Sequence, residues 1–196
     1  VELVARHDVG QVASTLLTWV KDEAKSTPAR VSALRSLAAA DRAQLEAALL
    51  AARESRSPEL RAEARDLLVK ADPPTALELL QQVLDQEVST VVERQRAFES
   101  LARLRVERAE ELLARSLDRL SQGTLDPALE LDLLEAVKAR NTPRLIAAAR
   151  EVESKRASEH AAGALRVALL GGDPERGRSV FRDHAAAQCI RCHKVR

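Results

Sequence analysis

The chain has 196 residues, of which 45% are hydrophobic and 31% charged, and its formal net charge is +1. That length suits one domain, or one domain and a piece of another, with a sizeable core, and the hydrophobic share excludes a disordered tail. No apolar run approaches the ~18 residues of a membrane span, and near-neutral charge argues against nucleic acid as a main partner. The first residue is Val1 rather than Met, which reads as processing or excision. Ala, Leu and Arg, with 35, 30 and 25 copies, dominate the composition, and all three favour helix. β-branched residues are scattered, and Val91-Val92 is the nearest approach to a strand run. The expected fold class is therefore all-α.

Helices are expected at about 9–25, 28–40, 42–54, 58–70, 74–86, 90–104, 107–121, 127–139, 143–155 and 157–170. Six prolines mark their starts: Thr27-Pro28, Ser57-Pro58, Asp72-Pro73, Asp126-Pro127, Thr142-Pro143 and Asp173-Pro174. Ser, Thr and Asp accept hydrogen bonds from free amides at a helix start, and Pro loses nothing at the next position. Asp41 and Thr90 read as further caps. Trp19, on the first helix, reads as core or as a cover for one end. The short loops imply that sequential neighbours pack antiparallel.

A repeat shows through this order. Ala33 and Leu37 align with Ala64 and Leu68, then with Ala97 and Leu101, then with Leu133 and Val137, at steps of 31, 33 and 36 residues. Small or apolar residues at i and i+4 line one face of a helix, and each such helix is followed by a second one. A two-helix unit of this period resembles HEAT-like repeats, which implies an α-solenoid. The charges between the apolar positions, such as Arg61, Glu63, Arg65 and Asp66, or Glu93, Arg94 and Arg96, read as a solvated helix face with pairs at i, i+3 and i+4. The alternative to the solenoid is an irregular helical bundle.

Gly171-Gly172 ends the last of these helices, and Asp173-Pro174 opens a new one, so a domain boundary is expected there. Beyond it stands Cys189-Ile190-Arg191-Cys192-His193. Cys-x-x-Cys-His is the attachment pattern of c-type haem: two thiols on one turn reach the porphyrin vinyl groups, and the next His comes up beneath the iron. A redox disulfide of the thioredoxin kind would need a βαβ context, which is not visible. A zinc site usually takes four ligands, and Cys189, Cys192 and His193 supply three at most.

Gly172, Asp173, Gly177 and Phe181 precede these cysteines in the spacing Gly-Asp-x-x-x-Gly-x-x-x-Phe. With the pentapeptide they resemble the opening of class I cytochromes c. The resemblance implies covalent haem c on Cys189 and Cys192, iron ligation by His193, a glycine for close helix packing and an aromatic near the haem edge. Helical repeats followed by such a domain are also similar to the C-terminal part of large bacterial membrane-bound dehydrogenases. Residues 1–170 are then HEAT-like helical repeats, and 171–196 are the N-terminal helix and attachment turn of a truncated cytochrome c domain. Its usual distal Met is missing, since the chain has no Met. His184, His160 and His7 read as ordinary surface or boundary residues.

The resemblance implies electron transfer, with a dehydrogenase domain or redox protein as partner, in the periplasm or on the outer face of a bacterial membrane. No Ser/His/Asp set, carboxylate pair or Gly-rich phosphate loop is visible, so catalysis proper is expected outside this chain. The alternative is a non-catalytic interaction scaffold with no haem bound.

Overall fold

The computed structural model describes residues 9–40, 42–159, 170–172, 174–184, 186 and 188–193. His7, Asp41, His160, Asp173 and residues 160–169 of the tenth helix expected at 157–170 lie outside them. Every regular element among the described residues is helical: α1 (Val9–Lys21), α2 (Thr27–Ala40), α3 (Arg42–Arg53), α4 (Pro58–Ala71), α5 (Pro73–Asp85), α6 (Val91–Arg103), α7 (Glu107–Ser121), α8 (Glu130–Arg140), α9 (Pro143–Glu159) and α10 (Pro174–Asp183). None of them is long and apolar enough to cross a membrane.

Local chemistry sets the ends. Ser57 Oγ accepts the Leu60 N–H at 3.2 Å, and Asp72 Oδ1 accepts that of Thr75 at 3.3 Å, with Pro next in both cases. Thr90 and Glu93 form a reciprocal capping box at the start of α6. Ser57→Ala should cost about 1 kcal/mol, seen as a lower urea midpoint with an unchanged slope. Thr142 breaks the pattern, because its Oγ1 is buried without a hydrogen-bond partner.

Three boundaries differ from expectation. α1 stops at Lys21 rather than near 25, because Asp22 Oδ1 takes the Ala24 N–H at 3.0 Å in a local turn that competes with the helix. The buried Arg30 then caps that end, donating to the Val20 carbonyl through Nε and a terminal nitrogen at 3.0 and 2.9 Å. Pro127–Leu129 forms a 3₁₀ turn before α8, held by Asp126 Oδ1 accepting the Ala128 N–H at 3.0 Å. The break expected at 156 is absent, and α9 runs on to Glu159.

From α1 to α9, each helix packs on the next in sequence. In addition α2 packs on α4, α4 on α6 and α6 on α8, while α1 packs on α3, α5 on α7 and α7 on α9. The helices thus fall into an even-numbered and an odd-numbered series. The repeat register explains which faces meet: Ala33, Leu37, Ala64, Leu68, Ala97, Leu101, Leu133 and Val137 are all buried. Small Ala side chains at these positions let the even helices approach closely, and Leu fills the space between them.

The apolar core comes in two pieces. One gathers residues from Ala13 to Ala76, and the other gathers residues from Leu80 to Val152. The α4–α6 contact carries charge as well as apolar packing. Glu93 on α6 accepts Arg61 Nε and a second Arg61 nitrogen at 2.8 and 2.7 Å, and an Arg65 nitrogen at 2.6 Å. Glu63 on α4 accepts Arg35 from α2 at 2.8 and 2.6 Å, and Asp66 pairs with Ser100 and Arg103. Glu63, Arg65 and Glu93 are buried, which corrects the reading of these charges as a solvated face. Their partners lie 28 to 34 residues away, close to one repeat in sequence, instead of three or four residues along one helix.

Burial pushes the Glu93 carboxyl up, but the Arg61 and Arg65 guanidiniums and the Thr90 backbone outweigh it. They hold it at about 2, against an ordinary 4.5. Burial pushes the Arg65 guanidinium down, and its bond to Glu93 offsets only part of that.

Candidate functional site

The C-terminal segment is rooted on α8. Gly172 has φ +92, a conformation that suits glycine. At Gly171 an added Cβ would sit 2.8 Å from Leu131 Cβ and 3.3 Å from the Ala128 carbonyl oxygen, so only glycine fits against this turn. Asp132 lies beside the pair. Burial pushes its carboxyl up, and the Gly172 backbone N–H draws it partly back. Gly171→Ala should cost about 1–3 kcal/mol through overpacking, read by urea denaturation.

α10 follows, with Val180 exposed and Phe181 half-buried on its last turn. Ser179 Oγ donates to Asp183 Oδ2 at 3.1 Å along its surface. An added Cβ at Gly177 would meet no atom within 4 Å, so the close packing implied for this glycine has no counterpart among the described residues. His184 lies just beyond the helix and is exposed; its N–H bonds the Val180 carbonyl at 3.1 Å.

The chain then turns sharply. The Gln188 N–H bonds the His184 carbonyl at 3.1 Å, and Gln188 takes a left-handed conformation at φ 43. Cys189–Arg191 forms a 3₁₀ turn packed against α10. The Cys189 carbonyl accepts two N–H groups, from Cys192 at 3.3 Å and from His193 at 2.9 Å. A single turn therefore carries Cys189, Cys192 and His193 together. Neither cysteine is in a disulfide; Cys189 is half-buried, and Cys192 and His193 are exposed. The His193 ring meets Phe181 edge-on, with centroids 6.5 Å apart and planes at 60°.

The donor set suits a porphyrin. Two free thiols and an imidazole leave one short turn, and exposure gives them room to meet a flat group from outside. No group of three or more His, Cys, Asp or Glu side chains is placed to hold a bare ion among the described residues. The sequence spacing located the turn. The left-handed Gln188 that produces it has no sequence signal, since neither Gly nor Asn stands there. Trp19 is not core: it is 40% exposed, with the Lys25 ammonium 4.7 Å from its ring centroid. Comparison with known protein families, curated proteins and solved structures found no match to this chain.

Proposed function

We propose that this chain joins a helical-repeat scaffold to the start of a c-type haem domain and serves electron transfer in a larger oxidoreductase. The observation that carries the reading is the Cys189–His193 turn: two free thiols and an adjacent exposed imidazole, set by one backbone carbonyl and braced by Phe181. Cys189 and Cys192 would hold haem c as thioethers, and His193 would supply a nitrogen ligand to its iron. When bound, the group supplies one-electron redox chemistry.

The chain's own residues position that group. The two N–H bonds on the Cys189 carbonyl fix the backbone of the turn that carries the thiols and the imidazole. Phe181 meets the His193 ring edge-on, while the ring stays exposed. The Gly171 contact with α8 supports a fixed root for the segment. The scaffold is read as an α-solenoid of HEAT-like helix pairs. This rests on the stacking of α2, α4, α6 and α8, and on polar bonds that cross about one repeat. The partner would be a dehydrogenase domain or a redox protein in the periplasm or on the outer face of a bacterial membrane, where haem c is attached.

The test is spectroscopic. Full-length protein produced with the cytochrome c maturation machinery should carry a Soret band and give the pyridine haemochrome of a doubly thioether-linked haem. A protein without covalent haem under those conditions refutes the electron-transfer reading and leaves a non-catalytic interaction scaffold.

A further inference from the structure

A second site lies in the helical scaffold. A cleft of about 350 Å³ opens between α3 and α5, with residues of α4 and α6 lining it as well. That volume is at the small end of known ligand sites. Its apolar lining is Leu50, Leu79, Val83 and Val88. Leu50 and Val88 are 55% and 86% exposed, so no protein group covers them.

The charges of this cleft do not close among themselves. Arg53, Arg61 and Arg65 line it against Glu54 and Glu93, which leaves one positive charge in surplus. Glu93 has no room for more donors. One oxygen takes Arg61 and Arg65, and the other takes Arg61 at 2.7 Å, the Thr90 N–H at 3.2 Å and the Thr90 hydroxyl at 3.0 Å. Arg61 is likewise committed, since its remaining nitrogen donates to the Ser55 and Arg56 carbonyls at 2.8 and 3.1 Å.

Arg65 is different. Its side chain is only 9% exposed and lines the cleft, yet it gives a single hydrogen bond, to Glu93. Its other N–H groups have no partner among the described residues. Arg53 has none either, and its charge opposes that of Arg65. The unused Arg65 donors open onto the cleft, and beside a second cation they can give an incoming anion charge-assisted hydrogen bonds.

We propose that this cleft binds a small aliphatic carboxylate, with its charged end on Arg65 and Arg53 and its hydrocarbon body against Leu50, Leu79, Val83 and Val88. A single negative charge matches the surplus, and the apolar walls favour a hydrocarbon tail over a compact oxyanion.

Calorimetric titration of the whole chain with acetate, butyrate and hexanoate, and with inorganic phosphate, tests this. Hexanoate should bind saturably at one site, and affinity should rise about fourfold per added methylene. Phosphate should bind more weakly than hexanoate. Arg65→Gln removes a buried ionic partner and can unsettle the fold, so Arg53→Gln and Leu50→Ala carry the comparison, with helicity checked by circular dichroism. Arg53→Gln should weaken hexanoate about tenfold, and Leu50→Ala should flatten the dependence on chain length. The proposal is overturned by hexanoate binding no tighter than acetate, by phosphate binding as tightly, by an unchanged affinity in folded Arg53→Gln, or by no saturable binding.

Discussion

Glu93→Gln should destabilise the chain by about 3–5 kcal/mol, as expected when one member of a buried ionic group is removed. The reason is geometric. Arg61 and Arg65 approach Glu93 from α4, and the same carboxylate completes the capping box of α6. A neutral amide leaves two guanidiniums facing each other at the α4–α6 contact, with Glu93's side chain only 4% exposed and water largely excluded. The effect also has a pH signature. In the folded chain the Glu93 carboxyl sits at about 2, below its ordinary 4.5. Its contribution is therefore complete above about pH 4.5 and is lost as pH falls towards 2, a loss of about 3 kcal/mol. Urea denaturation followed by circular dichroism at pH 7, 4.5 and 3 should show about 2 kcal/mol of that loss by pH 3 in the parent chain and not in Glu93→Gln. Equal acid sensitivity in both would place the effect elsewhere.

The Cys189→Ala, Cys192→Ala double variant should lose covalent haem completely while the helical scaffold melts as before, within about 0.5 kcal/mol. The turn that carries both cysteines is held by main-chain bonds, which the substitutions leave intact. Cys192 is exposed and Cys189 half-buried, and the turn is outside both apolar clusters, so losing the sulfurs creates no cavity there. Each single variant should keep one thioether, which the haemochrome spectrum distinguishes from two. A scaffold that unfolds in the double variant would contradict a domain boundary at Gly171-Gly172. Haem that stays covalently attached would remove the cysteines from the site.

The sequence carried the helices and their inner faces well. Ala64 and Leu68, or Ala97 and Leu101, are readable because a helix brings i and i+4 to one side, and the repeat then names the same side in the next unit. It carried the charges poorly. Arg61, Arg65 and Glu93 have the spacing of surface pairs, and nothing local distinguishes a bond to the next turn from one to the next repeat. The end of α1 was misplaced because Asp22 satisfies a backbone amide with its own side chain, a competition that hydrophobic periodicity does not register. At the candidate site the Cys-x-x-Cys-His spacing located the turn. The edge-on contact of Phe181 with His193 depends on how the chain reverses at Gln188, which is tertiary information.

The apolar core divides between α4 and α6, and one of the scaffold's charged contacts, Arg61–Glu93–Arg65, sits at that division beside the apolar packing. Apolar layers hold equally well in acid and in brine, whereas a charged seam holds only while its carboxylates are ionised. Acid should therefore open this molecule along a chosen line. The piece built around Leu37 and Leu60 would part from the piece built around Leu101 and Leu113 before either loses its own helices. Hydrogen exchange in mild acid would see it as two blocks of amides with separate opening energies, meeting at the Arg61–Glu93–Arg65 contact.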